Sequence, residues 1–306
     1  MTYRRAILIY NPAAGRRLGR RLRIEPVLAA LGRGVETVEA APTTGPGVAT
    51  ELGRRAGLEG FDLVAVCGGD GTVNEVANGL VGGSVPLAVL PAGTANVLAL
   101  ELGLARDPER AAAAVPHLEP LSVSLGRLRP AGAPERYFLL MAGAGLDASI
   151  VRHLDLRLKS RLGILSYWWA GAGELGRPRR PFQVTFDGRR LESTFALAAL
   201  SSYYGGGLRL ARRAHLLSGR LELVLFHSRS TTRYLVYLAA AACGRLEQLP
   251  DVTFSAAGRL TMTNQGLDPV YVQVDGELAG RLPAEIELVP AALTLLAPPA
   301  YRGAHG

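Results

Sequence analysis

Residues 67–80 read Cys67-Gly68-Gly69-Asp70-Gly71-Thr72-Val73-Asn74-Glu75-Val76-Ala77-Asn78-Gly79-Leu80. They follow the apolar run Phe61-Asp62-Leu63-Val64-Ala65-Val66 and open an amphipathic stretch over 73–80. Three glycines, an aspartate and a threonine thus fall at a strand-to-helix turn. There a backbone can wrap an anion, and the helix N-terminus stabilises its charge. Glycine suits such a turn because a Cβ would hold a phosphate away. The stretch predicts a phosphate-handling site.

Outward from this turn, strand and helix patterns alternate through the first third of the chain. Residues 5–10 read as a buried strand, and 19–31 as a helix carrying Leu22, Val27, Leu28 and Leu31. Strands follow at 34–40, 63–66 and 85–90, with helices at 44–56, 73–80 and 94–102 between and after them. Alternating strands and helices with short turns predict a parallel, doubly wound sheet. In such sheets the ligand lies beyond the carboxyl ends of the strands. Three loops fall at that edge: Asn11-Pro12-Ala13-Ala14-Gly15, Gly68 to Thr72, and Pro91-Ala92-Gly93-Thr94.

From about Leu121 the texture changes to short alternating runs, at 122–128, 136–141, 182–186, 193–200, 220–226, 252–256, 259–263, 270–274 and 284–288. Turns rich in Gly, Pro and Asp separate them, as in Asp187-Gly188. This pattern predicts an antiparallel sandwich or barrel, interrupted by helices over 150–172 and 231–243. Pro120, Pro130 and Pro134 cluster at the change of texture. The expected division is an α/β domain over 1–125 and an all-β domain over 126–306, the final segment free to return to the first.

Composition narrows the class. With 306 residues, 48% hydrophobic and 20% charged, the chain can bury a sizeable core. Cys67 and Cys243 lie far apart, no Cys/His cluster has metal spacing, and the five histidines are scattered. The N-terminal apolar run is too short for a signal peptide. No apolar stretch reaches the roughly 20 residues of a membrane-spanning helix. A soluble, cytoplasmic protein is expected. The net charge of +8 comes almost wholly from arginine, a good phosphate binder. No arginine run interleaves with stacking aromatics, so nucleic acid is not the expected partner.

The turn at Gly68-Gly69-Asp70-Gly71-Thr72, with Asn74-Glu75 close behind, resembles the diacylglycerol kinase catalytic-domain superfamily, which includes bacterial soluble lipid kinases and sphingosine kinases. The resemblance continues in order through Asn11-Pro12-Ala13-Ala14-Gly15, Pro91-Ala92-Gly93-Thr94-Ala95-Asn96 and Gly143-Ala144-Gly145-Leu146-Asp147-Ala148. It extends to Tyr203-Tyr204-Gly205-Gly206-Gly207 and Val274-Asp275-Gly276-Glu277. It covers almost the whole chain. It implies an α/β nucleotide-binding domain and a β-sandwich lipid-acceptor domain with the active site in the cleft between them. ATP, Mg²⁺ and transfer of the γ-phosphoryl group to a lipid hydroxyl are implied with it, a diacylglycerol-like acceptor foremost.

Residue by residue, the resemblance assigns nucleotide contacts to Asn11, Pro12, Ala13, Ala14, Gly15 and Thr43. It assigns them also to Gly68, Gly69, Asp70, Gly71, Thr72, Asn74, Glu75, Gly93 and Thr94. Asp70, anionic like the phosphates, suits Mg²⁺ or its waters, and capping the helix that follows it is its plainer role. Glu277 is the candidate general base, with Asp275 as partner or alternative; Asp-Gly is also a common hairpin signal. Many bacterial members bind a structural magnesium through an aspartate where Ser218 stands here. Ser218 and Arg220 are poor magnesium ligands, which argues against that accessory site. Lipid access implies transient contact with a membrane surface, and the basic, apolar stretch 152–167 is a candidate for it. The oligomeric state is open, a homodimer included. A NAD kinase-like enzyme with a soluble substrate, or a non-catalytic nucleotide or lipid sensor of this fold, is the alternative.

Overall fold

The computed structural model describes residues 3–15, 22–145, 180–204 and 207–305. The helix expected over 150–172, the stretch 152–167 within it, residues 146–148 and Gly205-Gly206 lie outside the described residues. The chain divides into two compact units, Met1–Ser124 with Pro290–Gly306, and Leu125–Val289.

The first unit is α/β. Strands β1 (Tyr3–Tyr10), β2 (Val35–Pro42), β3 (Leu63–Gly68) and β4 (Leu87–Pro91) are parallel and ordered β2-β1-β3-β4. Every residue of β3 and β4 is buried, as a parallel sheet covered on both faces requires. Helices α1 (Ile24–Leu31) and α5 (Pro108–Ala114) share a core with one face of the sheet, in which Val27, Leu31, Ala111 and Ala112 meet Leu8, Leu63, Ala65 and Leu90. Helices α2 (Val48–Leu58) and α3 (Asp70–Leu80) pack closely on each other. A Cβ on Gly79 would come within 2.2 Å of the Thr50 carbonyl oxygen, so the two backbones touch there.

The chain steps from β1 to β2 on one side, then crosses to β3 on the other side of β1. This reversal opens a crevice beyond the carboxyl ends of β1 and β3. Three local readings change. Helix α3 starts at Asp70 rather than Val73, so the last part of the glycine turn is already helical. Helix α4 (Val97–Leu102) starts three residues later than expected. Helix α5, which the sequence presents as an alanine patch, begins on Asp107, whose side chain accepts the Arg110 N–H at 2.9 Å.

The second unit is antiparallel. Strand β5 (Glu119–Ala131) begins in the first unit and ends in the second, and β6 (Arg136–Phe138), β7 (Met141–Gly145), β8 (Phe182–Phe186), β9 (Arg189–Ser193) and β10 (Phe195–Ala199) follow. After the short hairpin of β11 (Tyr203–Tyr204) and β12 (Leu208–Arg209) come β13 (Leu221–Phe226), helix α6 (Thr231–Ala242), β14 (Val252–Ala257), β15 (Arg259–Asn264), β16 (Tyr271–Val274) and β17 (Glu277–Ala297). One layer runs β14-β13-β10-β7-β16-β17 and another β9-β8-β15-β17. Strand β17 joins both, pairing with β16 through Glu277 to Arg281 and with β15 through Ala284 to Glu287. The unit is a β-sandwich. The sequence suggests only 284–288 of this 21-residue strand, because Gly280, Pro283 and Pro290 interrupt its strand character. The end of β17 belongs to the first unit, where Leu295 pairs in parallel with Leu87, and helix α7 (Pro299–His305) follows.

Candidate active site

Strand register gathers the first set of predicted residues. Tyr10 lies opposite both Pro42 and Cys67, and Gly68 opposite Pro91. The segments after β1, β2, β3 and β4 therefore leave the sheet side by side. Backbone hydrogen bonds tie them: Asn11 N–H to Cys67 O at 3.0 Å, Thr43 N–H to Tyr10 O at 2.8 Å, and Ala92 N–H to Gly68 O at 2.9 Å. Asn11 builds its own loop, since its Oδ1 accepts the Ala13 N–H at 2.9 Å, an Asx turn. Pro12 and Ala13 are exposed there, Ala14 is buried, and Gly15 has φ 75°.

Two glycine loops meet face to face at this edge. A Cβ on Gly93 would lie 2.5 Å from the Gly69 Cα and 2.8 Å from Asn96 Oδ1. Asn96, at φ 48°, accepts the Gly93 N–H through Oδ1 at 2.8 Å and donates from Nδ2 to Gly93 O at 2.9 Å. It closes the 93–96 loop and is the N-cap residue of α4. Thr94 is exposed and free of that capping role. Asn96 ends the 91–96 motif in the sequence, but the motif alone gave it no such role. Its signal was the tolerance of asparagine for left-handed backbone.

Asp70 caps, but not the helix it begins. The N-cap of α3 is Gly69, with no side-chain cap, whereas Asp70 Oδ1 accepts the Leu98 N–H of α4 at 3.2 Å. Burial pushes the Asp70 carboxyl above its ordinary range, and the N–H groups of Val97, Leu98 and Asn96 oppose that by stabilising the carboxylate. Gly68, Gly69, Gly71 and Thr72 line the same turn, with the Thr72 side chain packed over Gly68. The amides of the first turn of α3 have no partner within the helix.

Asn74 and Glu75 are placed differently. Asn74 is buried, and its oxygens accept from Asn78 Nδ2. Glu75 Oε2 accepts the N–H of Gly47, the N-cap of α2, at 3.0 Å. The Glu75 side chain thus ties α3 to the start of α2, while Asn74 bonds within its own helix, roles that spacing along the sequence does not reveal.

In the second unit, Asp275-Gly276 is a two-residue hairpin turn with φ 46° and 83°, and Val274 faces Glu277 across it. The Asp275 carboxylate accepts three backbone N–H groups, from Leu139 at 2.9 Å, Leu140 at 3.0 Å and Met141 at 2.9 Å. Its own N–H donates to Met141 O at 2.9 Å. Asp275 thus clamps the turn onto the start of β7, beside the Gly143-Ala144-Gly145 motif. Glu277 keeps its side chain 41% exposed, and its Oε2 accepts from Arg136 Nη2 at 2.8 Å. Arg136 escaped sequence reading because it lies 141 residues away. The two carboxylates therefore divide: Asp275 holds backbone, while Glu277 is accessible.

The Ser218 loop holds a cation of its own. Ser218 Oγ donates to Arg220 O at 2.7 Å, and the Arg220 guanidinium donates to Asp187 and, at 2.6 Å, to Ala256 O. Among the described residues no group of three or more His, Cys, Asp or Glu side chains is placed to hold a metal ion.

A doubly wound α/β unit with glycine loops at its switch point, followed by a β-sandwich bearing an Asp-Gly-Glu turn, defines a class: two-domain proteins with a catalytic α/β domain. The family model of the diacylglycerol kinase catalytic domain matches residues 5–128, and that of the YegS C-terminal NAD kinase beta sandwich-like domain matches 141–297. A diacylglycerol kinase of Mycobacterium tuberculosis is 34% identical over 271 residues, 87% of this chain and 86% of that protein. One of Bacillus subtilis is 30% identical over 289 residues, 92% of each. The crystal structure of a diacylglycerol kinase from Bacillus anthracis shares the fold, with a TM-score of 0.77 at 24% identity, covering 98% of this chain and 99% of that one. The chain belongs to the diacylglycerol kinase family, a family of lipid kinases.

Proposed function

We propose that the protein transfers the γ-phosphoryl group of ATP to the free hydroxyl of a diacylglycerol-like lipid. The observation that carries this reading is the gathering of the loops after β1, β2, β3 and β4 at the switch point, where Gly93 packs against Gly69 with no room for a Cβ of its own. Such a surface, with the amides of the first turn of α3, fits polyphosphate. Asn11 to Gly15, Thr43, Gly68 to Thr72, Gly93 and Thr94 handle the nucleotide. Magnesium neutralises phosphate charge in such transfers; here it would come with the nucleotide, held mainly by phosphate oxygens and reached by Asp70 through water.

Glu277 accepts the proton of the lipid hydroxyl as its oxygen attacks the γ-phosphorus. The new O–P bond forms, the bond from the γ-phosphorus to the β–γ bridging oxygen breaks, and ADP leaves. Asp275 keeps the turn rigid through its three amide bonds, and Arg136 orients the Glu277 carboxylate. The phosphorylated lipid then enters phospholipid metabolism. No described helix is long and apolar enough to cross a membrane. In this reading a cytoplasmic enzyme meets its lipid at a membrane surface.

The test incubates purified protein with labelled ATP, Mg²⁺ and a lipid extract, with NAD in a parallel reaction. Label in a lipid phosphate is expected. Label in NAD alone would overturn the reading in favour of a soluble acceptor, and binding without transfer would favour a sensor. Asp70→Asn keeps an acceptor for Leu98 but removes the charge, and turnover should fall about 10²-fold.

A further inference from the structure

Glu101 is buried near the C-terminal end of α4, with only 9% of its surface exposed. A carboxyl group there gains nothing from the helix dipole, whose C-terminal end favours cations. Burying it costs free energy unless a partner bonds it. A partner comes from the far end of the chain. Tyr301 OH donates to Glu101 Oε1 at 3.0 Å across 200 residues of sequence, and Tyr301 is itself buried. A satisfied polar contact inside an apolar setting fixes one arrangement of two helices more narrowly than apolar packing does.

Helix α7 is fastened independently of that contact. Arg302 Nη2 donates to Pro120 O at 3.0 Å, and its guanidinium lies 3.7 Å from Glu119, at the start of β5. The Tyr301 ring packs on His305 with centroids 4.8 Å apart. Just before α7, β17 ends in the sheet, where Leu295 pairs with Leu87. The Tyr301 hydroxyl thus projects from a fixed support. What it holds is the helix that meets the phosphate turn. Three residues before Glu101, the Leu98 N–H donates to Asp70 Oδ1. Asn96, the N-cap of α4, closes the loop of Gly93, which packs against Gly69. A helix of six residues is far too short to be stable alone, so tertiary contacts set its place. Apolar burial of Val97, Leu98 and Leu102 is non-directional. The polar contacts at Leu98 and Glu101 fix the helix along its own axis.

We propose that Tyr301 is a positioning residue of the nucleotide site: through Glu101 it sets the place of α4, and α4 in turn aims the Asp70 carboxyl group that reaches nucleotide-bound magnesium. The proposal rests on the lipid-kinase reading for the magnesium nucleotide, and it does not depend on which acceptor is used.

Titration calorimetry on the full chain, with ATP and Mg²⁺ and with ATP in a chelator, reads the effect without turnover. Tyr301→Phe should weaken binding of magnesium-loaded ATP by about three- to tenfold and leave binding of metal-free ATP unchanged. Glu101→Leu should act the same way. Glu101→Gln, which keeps an oxygen for the hydroxyl, should recover most of that loss. In an Asp70→Asn background Tyr301→Phe should weaken binding no further, because the charge it positions is gone. Hydrogen exchange separates positioning from folding should a variant melt lower. The Leu98 amide should exchange faster in Tyr301→Phe, while amides of β3 and β4 keep their wild-type protection. Wild-type affinity in Tyr301→Phe would overturn the proposal. So would equal weakening with and without magnesium, an additive double variant, or faster exchange throughout the first unit. The kinase reading fails separately. Magnesium-dependent binding that responds to Tyr301→Phe, without transfer to any lipid, keeps the proposal and removes the transfer. Wild-type protein that binds no nucleotide removes both.

Discussion

Two hairpins of the second unit are turned by the same dipeptide. Asp187-Gly188 joins β8 to β9 with Phe186 opposite Arg189, and Asp275-Gly276 joins β16 to β17 with Val274 opposite Glu277. Both aspartates have φ 46°, and both glycines lie in the left-handed region at 73° and 83°. The difference lies beyond the turns. Asp187 reaches outward to Arg220 at an exposed site. Asp275 turns back and accepts three amides from residues 134 to 136 positions earlier in the chain. After the first turn comes an exposed arginine, and after the second a glutamate paired with Arg136. The dipeptide sets the backbone of both. Distant hydrogen bonds decide which turn is clamped to the rest of its unit.

The largest difference expected between the turns is catalytic. Glu277→Gln should lower kinase turnover by about 10²–10⁴-fold, the usual contribution of a general base. Arg189→Gln, at the equivalent register position, should leave turnover unchanged. Initial rates with saturating ATP and lipid measure both, and wild-type turnover in Glu277→Gln would remove this residue from proton acceptance.

Next comes stability. Asp275→Ala strips an acceptor from three amides at the start of β7, at a cost of about 2–4 kcal/mol once water partly replaces it. Asp187→Ala loses an exposed ion pair and should cost under about 1 kcal/mol. Denaturant melts compare the two, and equal losses would mean that the Asp275 clamp carries no special weight.

These contrasts mark what sequence could and could not reveal. The parallel unit was legible because β3 and β4 are buried on both faces and read as unbroken apolar runs. The glycine loops were legible because a close approach such as that of Gly93 to Gly69 excludes a side chain at Gly93, and so leaves a mark in the sequence. The clamp on Asp275, the Arg136 pair and the cap that Asp70 gives to α4 depend on partners 28 to 141 residues away. A lone Asp or Arg carries no sign of its distant partner. Asn74 and Glu75 stand in the same motif as Asp70, yet Asn74 bonds within α3 and Glu75 reaches Gly47 at the start of α2, since successive helix positions point in different directions.

A smaller effect tests the shared half of the comparison. Gly188→Ala and Gly276→Ala each force a Cβ into left-handed backbone and should each cost about 1–2 kcal/mol. Nothing lies within 4 Å of a Cβ at Gly188, so the cost there is conformational. Similar losses in thermal melts would show that the turns are one backbone device. A much larger loss at Gly276 would mean that its surroundings, and not the dipeptide, select the glycine.

The smallest effect separates positioning from folding. Arg136→Met frees the Glu277 carboxylate from a half-exposed pair, an interaction of about 0.2–1 kcal/mol. Turnover should fall by about two- to fivefold with the melting temperature kept. Arg220→Met removes the partner of Asp187 together with its bond to Ala256 O, and should show the reverse, lower stability with normal turnover. If Arg136→Met instead destabilises the fold and leaves turnover intact, Arg136 belongs with Arg220 as a strand tie. The two turns would then differ in the Asp275 clamp and in the side chain that follows the glycine, with no arginine positioning that side chain.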